Sequence, residues 1–116
     1  MTTNCIFCKI IAGTAPATII YRDEQAIAFY DIHPAAPVHM LVIPNKHIDS
    51  INDLDPQDEN LVGHLFSVAH QIAEQEGIHL SGYRCIINTG PDSGQAVFHM
   101  HVHVIGGRSM RTLTGA

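Results

Sequence analysis

Val97-Phe98-His99-Met100-His101-Val102-His103-Val104-Ile105 alternates apolar and imidazole side chains along its length. Side chains on a strand point to opposite faces in turn, so the segment predicts a strand over 97–105. Phe98, Met100, Val102 and Val104 share one face and pack under a helix. His99, His101 and His103 share the other, outside the apolar set. Three readings of that row compete. The first is a solvated face: with 9 histidines in 116 residues, an i, i+2, i+4 triplet arises by chance in roughly one such sequence in twenty. The second is a three-histidine zinc site. It is opposed by the strand rise, which separates the Cα atoms of His99 and His103 by about 13 Å, while zinc–nitrogen bonds are only about 2.0–2.1 Å. The third is nucleophilic catalysis. An imidazole with an ordinary pKa of about 6.5 is partly neutral near pH 7, and flanking histidines can fix its tautomer.

Working outward, the stretch Asn88-Thr89-Gly90-Pro91-Asp92-Ser93-Gly94-Gln95-Ala96 precedes the histidines. An isolated polar loop with two glycines is an ordinary hairpin connection. Directly before the histidine row it becomes a candidate anion cradle, with Gly94 allowing backbone N–H groups close to a phosphate. Upstream, Asp55, Pro56 and Gly77 bracket a helix whose Leu61, Leu65, Val68, Ala69, Ile72 and Ala73 form one apolar stripe. Glu74 and Glu76 near its end oppose the helix dipole. A short helix is predicted over 4–12, and strands over 18–21, 26–30, 39–43 and 83–88, with a rigid two-proline loop at 31–37. Strands, one long helix, then two strands suggest an antiparallel α+β domain rather than βαβ units.

Composition limits what such a domain does. The chain has 6 basic and 11 acidic residues, a net charge of -5 with histidine neutral, so bulk electrostatics do not draw it to nucleic acid or an anionic membrane. A bound phosphate must be held by local donors. No apolar run approaches the roughly 20 residues of a membrane span, and no secretory leader is visible. With 3 cysteines, a disulfide framework is not expected. One domain is expected over 1–116, with a short polar tail at 109–116 and a cytoplasmic location.

The segment Gly94-Gln95-Ala96-Val97-Phe98-His99-Met100-His101-Val102-His103-Val104 resembles the signature of the histidine-triad (HIT) nucleotide-binding proteins. Ile6-Phe7-Cys8-Lys9-Ile10-Ile11, Phe29-Tyr30-Asp31-Ile32-His33-Pro34, His39-Met40-Leu41-Val42-Ile43-Pro44, Lys46-His47-Ile48 and Gly82-Tyr83-Arg84 carry the resemblance in order, over about residues 5 to 108. The closing Gly106-Gly107-Arg108 is similar to the Hint branch, the purine nucleoside phosphoramidases. The galactose-1-phosphate uridylyltransferase branch has glutamine where this chain has His103.

The resemblance implies a homodimer whose subunits each carry a five-stranded antiparallel sheet with one long and one short helix. It implies hydrolysis of a nucleoside 5′-phosphoramidate to a nucleoside monophosphate and an amine, with no cofactor required. By match to the motif, His101 attacks phosphorus, His103 contacts the phosphate and His39 polarises His101. Asn88 and the backbone of Gly94, Gln95 and Ala96 hold the phosphate, with Gln95 near the leaving side. Asp31 matches the ribose-binding aspartate, although a turn-forming role before Pro34 is the plainer alternative. Phe7, Ile10, Phe29 and Ile32 match the purine pocket. Ala96 departs from the branch, which usually has serine there, and this places the rate and the preferred amine in question.

Cys5 and Cys8 alone fit a pair of small residues at helix spacing or a redox pair. The resemblance adds a third reading, a structural zinc on Cys5, Cys8, His47 and His99, which would make His99 a ligand. Cys85 is expected in the core. Two other functions remain compatible with the sequence: hydrolysis of dinucleoside polyphosphates, and nucleotide sensing with little catalysis.

Overall fold

The computed structural model describes residues 4–110. Helix α1 (Ile6–Ala12) opens the chain, followed by strands β1 (Ile19–Arg22), β2 (Ala26–Tyr30) and β3 (Val38–Pro44). Helix α2 (Glu59–Gln75), β4 (Tyr83–Ile86) and β5 (Val102–Gly106) complete it. The five strands form one antiparallel sheet in the order β1-β2-β3-β5-β4. The predicted α+β class and five-stranded sheet are as observed.

Almost every side chain of β2 and β3 is buried, the mark of a sheet covered on both faces. Alternation then divides the apolar residues between two cores. Ala26, Ala28, Met40, Val42, Met100, Val102 and Val104 pack with Leu65, Val68, Ala69, Ile72 and Ala73 of α2. On the other face Ile27, Phe29, Leu41 and Ile43 pack with Phe7 and Ile10 of α1. The histidine face is therefore not open to water but is roofed by the short helix.

Asp55 caps a 3₁₀ turn, Pro56–Asp58, through a capping box with Asp58, and α2 runs on from that turn. Glu76, set against the helix dipole, is compensated: its Oε2 accepts the hydroxyl of Tyr30 at 2.6 Å, tying the end of α2 to β2. Asp23 ties the other end of the helix. Its Oδ2 accepts from Tyr21 Oη at 2.5 Å and from His64 Nε2 of α2 at 2.6 Å, and its Oδ1 accepts the N–H groups of Gln25 and Ala26.

Three expectations need correction. The last strand begins at Val102 rather than Val97, because its pairing stops there: the final β3 pair is Val42 with Val102 although β3 runs on to Pro44, and β4 ends at Ile86 opposite His103. The preceding residues bend instead, and Met100 N–H donates to the carbonyl of Ile48 at 2.7 Å. Phe98, released from strand alternation, is about half exposed (49%) rather than packed under α2. Cys85 is exposed rather than in the core, since β4 is an edge strand and α2 packs on β1, β2, β3 and β5. Of the expected C-terminal tail, 111–116 lies outside the described residues.

Candidate active site

The bend before β5 separates the three histidines. His99, completely buried, turns its ring toward the N-terminus, while His101 and His103 line a cavity of about 560 Å³ on the α1 side of the sheet. Phe7, Ile10, Phe29, Asp31, Ile32 and Ala96 line it too, as the sequence anticipated. Its wall also contains Ile6, Pro16, Ala17, Tyr30, His33, Leu41 and Val97, which sequence reasoning missed. Leu41 could have been found, because it follows His39 by two positions on β3 and so shares its face. Pro16 and Ala17 belong to a connecting loop and carry no such signal. The cavity is apolar at the α1 end and holds one carboxylate, Asp31, near the histidines.

Hydrogen bonds to backbone groups of fixed polarity define the tautomers. His101 Nδ1 lies 2.8 Å from the carbonyl of His99. A carbonyl only accepts, so Nδ1 carries the proton and the lone pair of His101 is at Nε2. In the loop with two prolines, the N–H of Ala35 donates to His39 Nδ1 at 2.9 Å. His39 therefore carries its proton at Nε2, which is 2.9 Å from His103 Nδ1. His103 accepts there and presents Nε2–H. Adjacent rings thus offer a base, His101, and a donor, His103, with centroids 4.9 Å apart. Phe7 stands edge-on to His101 at 5.1 Å. His39 bonds His103, not His101 as the motif match implied, because β3 residue Leu41 lies opposite His103 and brings His39 alongside it.

Burial is the main cause that lowers the pKa of both cavity histidines. For His101, the carbonyl of His99 and the charge of Asp31 oppose it. For His103, burial is reinforced by His101 and His39 and only partly offset by Asp31, bringing the value down to about 4. Both rings are neutral near pH 7, the state in which one attacks and the other donates.

The loop before the histidines is built around Gln95. Its buried side chain accepts from Gly90 N–H at 2.8 Å and donates to the carbonyls of Asp49 and Val97 at 2.7 and 3.0 Å. Gln95 therefore braces the loop, and its side-chain amide is already engaged. Gly94 adopts φ 86°, a left-handed conformation suited to glycine. Asn88, Gly94 and Gln95 do not line the cavity, whereas Ala96 does.

A second cluster lies behind His99. Cys5 Sγ is 3.4 Å from His99 Nδ1, and Cys8 Sγ is 3.3 Å from His47 Nδ1 and 3.5 Å from His99 Nδ1. All four donor atoms lie within 4.8 Å of one another. Sulfur and nitrogen at bond lengths of about 2.3 and 2.0–2.1 Å from a tetrahedral zinc ion are about 3.5 Å apart, so this set fits zinc. The far nitrogens are engaged as metal-bound imidazoles require. His99 Nε2 donates to the carbonyl of Pro44 at 2.8 Å, and His47 Nε2 pairs with Asp49 Oδ1 at 2.6 Å. Both leave Nδ1 toward the sulfurs. Cys5 also caps α1, its sulfur accepting the N–H of Cys8.

A small α+β domain with paired cavity histidines fixed as base and donor has the equipment of a group-transfer enzyme. Residues 12–110 match the HIT domain family. The chain is 46% identical to a purine nucleoside phosphoramidase of Escherichia coli K12 over 110 residues, 95% of this chain and 92% of that protein. A HIT family hydrolase of Clostridium thermocellum superposes with a TM-score of 0.93 at 44% identity, over 95% of this chain and 96% of that one. A HIT family hydrolase of Legionella pneumophila gives 0.90 at 45% identity, over 92% and 96%. The chain belongs to the HIT domain family, as a hydrolase.

The depressed pKa of His103 has a thermodynamic sign. The unfolded chain takes up this proton near pH 6.5 and the folded protein only near pH 4. The associated stability is present above about pH 6.5 and is lost as pH falls toward 4. Urea unfolding at pH 7 and pH 4.5 should show a smaller loss of stability on acidification for His103→Gln than for the parent. Equal losses would mean that His103 is not held neutral by the fold.

Proposed function

We propose that the protein hydrolyses purine nucleoside 5′-phosphoramidates through a nucleotidyl–His101 intermediate. The observation that carries this reading is the opposite polarity of two neighbouring rings: an Nε2 lone pair on His101 and an Nε2–H on His103. The 46% identity to a protein named for this activity supports the substrate class. In the first step His101 Nε2 attacks the α-phosphorus, forming a nitrogen–phosphorus bond as the bond to the amine breaks. The departing amine takes up a proton from solvent, and the water that attacks in the second step returns one. In the second step water attacks the same phosphorus, the bond to His101 breaks, and the nucleoside monophosphate leaves with the regenerated neutral ring.

Each residue has a role that suits its chemistry. His103 Nε2–H donates to a phosphate oxygen as negative charge develops, with His39 holding its tautomer. Of the loop residues Ala96 is the one that reaches the cavity and stands as the phosphate's backbone partner, since the N–H of Gly94 already donates to the carbonyl of Pro91. Asp31 accepts the ribose hydroxyls. Phe7, Ile10, Phe29 and Ile32 enclose a purine face and need no charge to do so. The phosphate is met by neutral donors, consistent with a chain of net charge -5.

Turnover of an adenosine 5′-phosphoramidate carrying a fluorescent amine tests the reading directly. The parent should cleave it, and His101→Ala should lose at least about a thousandfold in kcat while still binding AMP. AMP binding without turnover by the parent would make the protein a nucleotide sensor. Cleavage of dinucleoside polyphosphates alone would move it to a different substrate class.

Two further features belong to this proposal. Cys5, Cys8, His47 and His99 hold a structural zinc, which would fix α1 against the bend before β5. Burial is the leading influence keeping His99 neutral, as a ligand must be. Protein purified without chelator should contain about one zinc per chain, and Cys8→Ser should contain far less. Full metal content in that variant would overturn the assignment. Among the described residues no disulfide is formed, which fits a reducing compartment, and we place the protein in the cytoplasm. Among the described residues, no helix is long and apolar enough to cross a membrane.

The second feature is a homodimer formed at the β4 edge. Among the described residues β4 pairs on one side alone, leaving a row of backbone donors and acceptors with Cys85 exposed beside it. Sedimentation at micromolar concentration should give a dimer; a monomer there would contradict it.

A further inference from the structure

Asp31, the ribose partner in the proposed reaction, has a further neighbour in the structure. Asp31 Oδ2 lies 3.4 Å from His39 Nε2, the nitrogen whose proton bonds His103 Nδ1 at 2.9 Å. The carboxylate is held in place there. Its Oδ1 accepts the N–H of His33 at 2.8 Å, and its own backbone N–H donates to the carbonyl of His39 at 3.0 Å. Because Ala35 N–H occupies His39 Nδ1, the single proton of His39 sits on Nε2, bonded to His103, with the Asp31 carboxylate beside it as a close negative charge.

We propose that Asp31 is a positioning residue for the His39–His103 pair, its carboxylate holding the His39 proton at Nε2 so that His103 remains an Nε2–H donor. The same carboxylate that meets the ribose would then set the polarity of the ring that meets the phosphate. This extends the hydrolase reading and relies on it only for the role of His103 at phosphorus.

The arrangement also resembles a metal site, since ligand atoms of Asp31, His39 and His103 lie within 4.8 Å of one another. The tautomer argues against that use. A metal ion would need the lone pair of His39 Nε2, forcing the proton to Nδ1, where it would oppose the N–H of Ala35 donor to donor. A proton on Nε2, bonded to His103 and stabilised by the neighbouring carboxylate, meets no such conflict.

The test uses Asp31→Asn, which keeps an oxygen for His33 N–H but can turn an amide donor toward His39 Nε2–H. Imidazole ¹⁵N spectra of the substrate-free protein report the tautomers of His39 and His103 and require no turnover. Kinetics are compared on the phosphoramidate and on its analogue lacking both ribose hydroxyls. We expect altered tautomer populations at His39 and His103. We also expect a kcat on the hydroxyl-free substrate lower by about tenfold, with KM changed far less. Parental tautomers, with the kinetic loss confined to the ribose-bearing substrate, would overturn the proposal and leave Asp31 a ribose ligand alone. If the parent cleaves neither substrate, the hydrolase reading fails, and the tautomer spectra alone decide the positioning role. Should Asp31→Asn not fold, Asp31→Ser removes the carboxylate and carries the same two readouts.

Discussion

The hydrogen bond from His101 Nδ1 to the carbonyl of His99 joins the two halves of this site. It fixes the proton of His101 on the side away from Nε2. It also ties His101 to a residue whose own ring is committed elsewhere, between Cys5, Cys8 and His47. The bend that makes this bond possible exists because β5 begins only at Val102. Had the strand run straight from Val97, His99 and His101 would have lain side by side on one face, and neither the cluster nor the carbonyl contact would have formed.

Helix α1 gains its importance from the same geometry. It is only seven residues long, too short to persist by its intrinsic propensity. It is held by the burial of Phe7 and Ile10 and by a sulfur cap that doubles as a donor atom of the Cys/His cluster. The face that buries Phe7 against Phe29 and His101 is also one wall of the cavity. A ligand in that cavity therefore rests on an element anchored from behind by the cysteines.

Much of this was legible in the sequence. The stripe from Leu65 to Ala73 identifies α2, and the turn signals identify the hairpin of β1 and β2. The alternation of Met100, Val102 and Val104 correctly places one side of the sheet against that helix. The same alternation misled at Phe98, because periodicity says nothing of where a strand loses its hydrogen-bonding neighbours. It misled again in leaving the histidine face open, since a seven-residue helix more than eighty positions upstream covers it. Cys85 reads as core from its strand but is exposed because its strand is an edge. At the site, the sequence motif brings forward His101 and His103, which line one cavity. It does not reveal that His39 reaches His103 or that Gln95 is spent on bracing its own loop. Those contacts depend on register and on backbone carbonyls, which leave no trace in residue identity.

We propose His101 as the nucleophile because its proton is held at Nδ1. The most direct test is to mix the protein with an adenosine 5′-phosphoramidate, quench within the first turnover under conditions that preserve phosphoramidate bonds, and locate the adenylyl group by peptide mass spectrometry. A transient adduct on His101 that forms and decays at rates compatible with kcat is the expected result. Turnover with no adduct at any time, or an adduct on His99 or His103 instead, would contradict it.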